Sequence, residues 1–227
     1  MKKSLLIFTL LTSFFSFSQS SKIKFGFQAG FNYSNYRGYT VPSAYSQVYN
    51  ESPAFAYLGG INFEYQMKEK LSLKIELNYE RKSQKAANNI YIRQNFDDPM
   101  QEYNFTSKRH YDYLVLPILL KYNFTNKDSF YLNSGPFIGF LLQSKFTNDL
   151  NVSGFGSSDV VTTKNNKKTD FGWSFGLGRS FDLKNKKTIN LEIRENLGLT
   201  NTSKIDVWNG GTVKTNSINL IVGMSFN

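Results

Sequence analysis

The stretch KIKFGFQAGFNY (Lys22–Tyr33) decides the fold. Ile23, Phe25, Phe27, Ala29, Phe31 and Tyr33 alternate with Lys22, Lys24, Gly26, Gln28, Gly30 and Asn32. Strict period-two alternation over this length marks a strand with one apolar and one polar face. A helix would scatter the same charges around every side.

Seven more segments repeat the pattern. The second sets Phe55, Tyr57, Ile61, Phe63 and Tyr65 against Gly60, Asn62, Glu64 and Gln66. The third sets Leu71, Leu73, Ile75, Leu77 and Tyr79 against Lys70, Ser72, Lys74, Glu76, Asn78 and Glu80. The fourth, about 109–124, aligns Leu114, Leu116, Ile118, Leu120, Tyr122 and Phe124 on one face. The fifth aligns Phe130, Leu132, Ile138, Phe140 and Leu142, and the sixth Phe171, Trp173, Phe175, Leu177 and Phe181. The seventh and eighth carry Ile189, Leu191, Ile193, Leu197 and Leu199, then Ile218, Leu220, Val222, Met224 and Phe226. Pro117 and Pro136 fall inside strands and predict a bulge or bend there.

The connections alternate as well. Short polar turns at 67–69, 125–129 and 182–187 separate long polar links at 34–54, 81–108, 144–169 and 201–214. Tight turns on one side and long loops on the other predict an eight-stranded, antiparallel, up-and-down transmembrane β-barrel. A soluble barrel that binds lipid inside would alternate too. Glycines mixed with Glu64, Lys74, Glu76, Glu192 and Arg194 on the polar face suit a narrow packed lumen instead. Aromatics cluster near the strand ends, at Tyr33, Phe55, Tyr57, Tyr65, Tyr79, Tyr111, Tyr122, Phe124 and Phe181, as in interfacial girdles.

The export route is legible at the start of the chain. Lys2 and Lys3 precede the apolar run 5–17, and Ser16, Ser18 and Ser20 follow. This is a secretory signal peptide over 1–18, with the barrel domain over 19–227. The formal charge of +10 includes those two lysines, which leaves about eight positive charges on the mature chain. An exported basic chain is expected to meet lipopolysaccharide and other surface polyanions, not nucleic acid. The absence of cysteine excludes disulfides, a lipoprotein anchor, a thiol nucleophile and a thiolate metal site. A mean hydropathy of −0.40 says nothing against a barrel, because alternation averages out the lipid face.

Several segments resemble one family. YLVLPILLKYNF (Tyr113–Phe124), FYLNSGPFIGFLL (Phe130–Leu142), TDFGWSFGLGRSFDL (Thr169–Leu183) and LEIRENLGLTN (Leu191–Asn201) are similar, in register, to strands of the PorT-like outer-membrane β-barrel proteins of Bacteroidota. The resemblance implies a porin-family barrel in the outer membrane, in contact with its lipids and with the barrel assembly machinery during insertion. It implies fold and location more than role, and a type IX secretion role does not carry over. Such barrels usually end on an aromatic residue as assembly signal. Here Phe226 is penultimate and is expected to serve.

Site chemistry is sparse. Eight strands enclose a space that side chains fill, so Glu64, Lys74, Glu76, Glu80, Glu192 and Arg194 are expected to meet there as a polar network. His110 is the single histidine, and with Asp112 it would need a third group, such as a serine, to make a triad. No catalytic residue, metal or cofactor is expected. The expected role is structural, or an interaction with a surface protein or glycan through the long loops. The alternatives are a narrow channel and a secretion-system accessory.

Overall fold

The computed structural model describes residues 22–46, 49–93, 97, 99–125, 129–149, 158–183 and 187–226. The signal-peptide segment, the 126–128 and 184–186 turns and Asn227 lie outside the described residues. Among the described residues nine strands form one antiparallel sheet: β1 (Ile23–Arg37), β2 (Tyr49–Lys68), β3 (Leu71–Ile92), β4 (Gln101–Asn123), β5 (Phe130–Asp149), β6 (Ser158–Val161), β7 (Thr169–Leu183), β8 (Lys187–Gly198) and β9 (Lys214–Phe226). Eight of them close a ring, with β9 paired to β1 and β4 to β5, while β6 hangs on the outer edge of β5.

The register fixes the size of the ring. From Ile23 the paired positions run through Tyr65, Leu73, Leu120, Ser134, Phe175, Glu195 and Ile218, and return to β1 at Tyr33. The stagger is therefore ten residues over eight strands. With a rise of ~3.3 Å and a strand spacing of ~4.8 Å, that shear tilts the strands by about 40° and sets a backbone radius of roughly 8 Å.

The apolar rows face outward. Phe27, Phe31, Phe55, Phe130, Phe175 and Val222 are all exposed, Phe55 by 79%. The polar rows point in, and Asn32, Glu76, Asn133, Ser174, Arg194 and Asn219 are buried. At about 2.5 Å of height per tilted residue, the 22 residues of β3 rise about 55 Å, against a lipid-facing band of about 25 Å.

Three sequence expectations are corrected. The 81–108 link is mostly ladder: β3 and β4 stay in register from Lys82↔Tyr111 to Ile92↔Gln101. Likewise β1 continues to Arg37, β2 begins at Tyr49 after a one-turn helix α1 (Ser43–Ser46), and β5 runs to Asp149 with β6 beside it. Outside the apolar band these strands lose the alternation that marks a buried or lipid-covered face, so their hydropathy reads as loop while the backbone pairing persists. Pro117 and Pro136 insert no bulge. Pro117↔Phe137 and Pro136↔Trp173 hold register, and the shifts lie at Pro53/Leu58, Gln66/Lys68 and Asp112/Tyr113. A proline that forfeits one ladder donor does not have to add a residue. Tyr111 does not join the lipid-facing girdle but turns inward, 3% exposed.

The interior is lopsided. From β4 and β5, Tyr113, Val115, Leu119, Tyr131 and Phe137 fill the lumen, and the β7 wall beside β5 is thinned by glycine, with Gly178 and Gly172 the ladder partners of Tyr131 and Phe137. A Cβ on Gly178 would lie 2.3 Å from the Tyr131 ring, and one on Gly172 2.4 Å from the Phe137 ring. Gly178→Ala should therefore destabilise the barrel by about 1–3 kcal/mol through overpacking. The check is the urea midpoint of protein refolded into lipid vesicles, followed by tryptophan fluorescence.

Candidate functional site

Side chains on opposite walls meet across the lumen. β3 and β8 lie four places apart in the ring of eight, and Arg194 of β8 reaches Glu76 of β3 across the full diameter. Its Nη1 and Nη2 donate to the two carboxylate oxygens at 2.6 and 2.8 Å, and its Nε donates to Glu192. Lys74 completes the cluster, with Nζ 2.7 Å from Glu76 and 3.8 Å from Glu192. Gln28 Nε2 and Asn78 Nδ2 donate to Glu76 at 2.7 and 2.8 Å, and the Tyr131 hydroxyl donates to Glu192 at 2.9 Å.

Four of the six expected lumen residues thus form one cluster. The other two sit on separate levels. Glu80 lies farther out and accepts from Asn196 Nδ2 at 3.1 Å and Ser217 Oγ at 2.8 Å. Glu64 lies nearer the turns and pairs with Lys121 at 3.0 Å, beside a polar cavity of about 110 Å³ that opens on that side. Sequence reasoning missed Lys121, although it continues the inward parity of Tyr113, Val115 and Leu119 in an otherwise apolar strand. It also missed Lys82, which donates to Thr215 Oγ1 at 3.0 Å and to Asp170 at 3.4 Å, because Lys82 falls in the stretch read as loop. Phe226 ends β9 facing outward, its ring 5.7 Å from Phe27 and below the Lys187 ammonium.

Above the charged levels the lumen turns apolar. Tyr36, Tyr111, Tyr113, Val115, Phe137 and Val213 form a cluster, with Tyr36 and Tyr111 ring centroids 4.7 Å apart. Over it lies an outer vestibule of about 310 Å³, walled by Tyr39, Glu51, Arg109, Tyr111, Phe146, Asp206 and Trp208, among others. Its rim is tied together by backbone bonds. Lys167 N–H donates to Thr202 O at 2.7 Å, Lys204 N–H to Asn165 O at 2.9 Å and Thr212 N–H to Gly38 O at 2.7 Å. Burial, followed by the Glu51 carboxylate that accepts its hydrogen bond, pushes the Tyr39 phenol up.

On the outer face of the extension, Arg81 holds both oxygens of Asp112, at 2.6 and 2.8 Å. His110 Nδ1 lies 2.7 Å from the hydroxyl of Ser83, its ladder partner. Sequence reasoning had no means of choosing that serine, since Ser83 also lies in the stretch read as loop. Ser83 is fully buried, and both Asp112 oxygens go to Arg81, so the three groups are not arranged as a relay open to substrate. His110 stands above the apolar band, outside the membrane-spanning part of β4. Burial, then the Arg81 guanidinium, lowers its pKa and favours the neutral ring.

Residues 17–204 match the family model described as outer membrane protein beta-barrel domain. Among solved structures the chain is similar to Neisserial surface protein A, at 16% identity and TM-score 0.43, over 90% of this chain and 96% of that one. It is similar to OprG from Pseudomonas aeruginosa at 12% and 0.44, over 89% and 94%. It is also similar to the outer membrane protease OmpT from Escherichia coli at 10% and 0.45, over 92% and 97%. No curated protein matches the sequence.

Removing one partner of the central pair strands a buried charge, so Glu76→Leu or Arg194→Met should each cost about 3–5 kcal/mol. The double replacement Glu76→Leu with Arg194→Met should recover most of that loss, as a double-mutant cycle of urea titrations would show. His110 gives a second expectation. Its folded pKa lies below the unfolded value of about 6.5, so its contribution is complete above that pH and drains as pH falls through the lowered value. Amide protection factors along the outer β3–β4 ladder should drop on acidification, and His110→Gln should abolish the drop.

Proposed function

The chain belongs to the outer membrane protein beta-barrel domain family and resides in the outer membrane, and from that premise we propose a sealed, non-enzymatic barrel that presents a contact surface outside the cell. The observation that carries this reading is the Arg194–Glu76 bridge across the whole lumen diameter, backed by Lys74, Glu192, Gln28 and Asn78. A buried, bidentate and fully partnered ion pair is expensive to open, which argues against a standing water path. The rigid outer extension of β2 to β6 is then the part left to meet a partner, a surface protein or a glycan.

The finer assignment within this reading is a PorT-like barrel of Bacteroidota. Residues 1–18 serve as the export signal, 19–227 as the barrel, and Phe226 as the residue read by the assembly machinery. The basic mature chain faces anionic lipopolysaccharide at the outer leaflet.

Planar-bilayer recording tests the central claim. The refolded wild-type barrel should be silent, and Arg194→Ala should at most introduce brief openings. A steady wild-type conductance that changes with Glu76→Gln would replace this reading with a narrow channel.

A further inference from the structure

We propose that the outer vestibule is a binding site for one acidic monosaccharide unit, its carboxylate held by Arg109 and its ring laid against the aromatic wall. The proposal rests on the reading that the barrel works through its outer side, and it names the ligand class.

Arg109 is the first observation. The residue is half-buried in the vestibule wall, and its guanidinium has no carboxylate or hydrogen-bond partner among the described residues. Its neighbours are the phenols of Tyr111, Tyr49, Tyr39 and Tyr36, all uncharged at neutral pH. The nearby Glu51 is committed to the Tyr39 hydroxyl at 2.9 Å, and it makes no ion pair among the described residues. Among the described residues the four fully buried lysines and arginines of the lumen are each matched by a carboxylate: Arg194 and Lys74 by Glu76, Lys121 by Glu64, Lys82 by Asp170. An unmatched guanidinium facing a cavity is a place prepared for an anion, and its planar fork fits a carboxylate.

The rim adds the same sign. Lys164, Lys167, Lys168 and Lys204 are exposed on the two loops that border the cavity, and none of them makes an ion pair within the described residues. A concave cationic mouth over a low-dielectric floor concentrates anions. The rest of the wall fits a small polyhydroxylated ring better than an inorganic ion. Trp208, Tyr111 and Phe146 offer flat apolar faces, while the Asn165 amide and the Asp206 carboxylate have no partner among the described residues and are free to bond hydroxyls. About 310 Å³ lies at the small end of ligand pockets, which suits one sugar ring. The cross-bonded rim, with Asn166 bridged to Ser203, holds the cavity open without a ligand to order it.

The test is titration calorimetry on the full refolded barrel in detergent, with sodium glucuronate, glucose and sodium phosphate as probes. Glucuronate should bind at least roughly tenfold tighter than glucose, and tighter than phosphate, because the charged hydrogen bonds and the ring contacts act together. Arg109→Gln should bring glucuronate down to the level of glucose, and Trp208→Ala should weaken both sugars. Arg109→Lys keeps the charge and loses the fork, so it should bind glucuronate measurably less well than wild type. It decides the matter if the glutamine variant fails the SDS heat-shift check for a folded barrel. Glucuronate that does not bind, that binds no better than glucose or phosphate, or that is indifferent to Arg109 overturns the proposal. None of these outcomes depends on bilayer conductance, so the site and the sealed-barrel reading fail separately.

Discussion

Closure of eight strands at a stagger of ten leaves a cylinder of roughly 8 Å backbone radius, and most of the structure follows from that width. Inward side chains cannot pass one another without touching, and bulk water has no room to solvate them. Most inward polar groups therefore take a protein partner, many of them on another wall, although the Asn133 amide finds none among the described residues. The buried lumen charges among the described residues are Lys74, Lys82, Lys121 and Arg194 with Glu64, Glu76, Glu80, Asp170 and Glu192. They are close to balanced in number and interleaved in height. Arg194 can reach Glu76 only because the two face each other across a diameter that one arginine and one glutamate together span. A wider ring would separate them, and a narrower one would have no place for the Tyr131 and Phe137 rings beside them.

The same width explains why the interior is built in levels. Within the lipid band the outer face is apolar by necessity, so the lumen is the only place for polar side chains, and there they specify register through particular partners. Once the strands rise past Arg81 and Asp112, water covers the outside and the constraint reverses. The extension then gains stability by burying apolar surface inward, and Tyr36, Tyr111 and Val213 supply it, packed on Tyr113, Val115 and Phe137 below them. The change from charged to aromatic lining is thus the interior answer to leaving the membrane.

That reversal also marks where the sequence stops being legible. In the band, the lipid face repeats an apolar residue at every second position, and eight strands, their faces and their short turns can be read directly. Glu64, Lys74, Glu76, Glu80, Glu192 and Arg194 lie inward by the same parity, though parity alone does not say that Glu64 pairs with Lys121 while Arg194 spans to Glu76. Above the band, Ser83 to Asn89 on β3 and Asn104 to Lys108 on β4 are mostly polar, with Ala86, Ala87 and Phe105 giving no sustained alternation, and only backbone pairing identifies them as strand. Lys82 was hidden for this reason, whereas Asp170 and Arg109 fell inside segments read as strand and were not singled out as inward charges. Tyr111 was misplaced because an aromatic near a strand end reads as a girdle residue whichever way it points.

The two inward arginines of the wall show how the levels divide the work. Arg194 sits where solvent cannot reach, and two carboxylates saturate it. Arg109 sits about one β-bulge and an apolar layer farther out, on the wall of an open cavity, with tyrosines and no acid pairing it among the described residues. The chain supplies a carboxylate to each fully buried lumen cation, so the lack of one beside Arg109 sets it apart as a position that water or a solute can fill. The aromatic layer between the two keeps them electrically and sterically apart. The lumen charge nearest that layer is Lys82, which lies 5.4 Å from the Tyr113 ring and 4.9 Å from the Phe137 ring and is held by Asp170, so the central Arg194–Glu76 bridge stays one level removed from the vestibule.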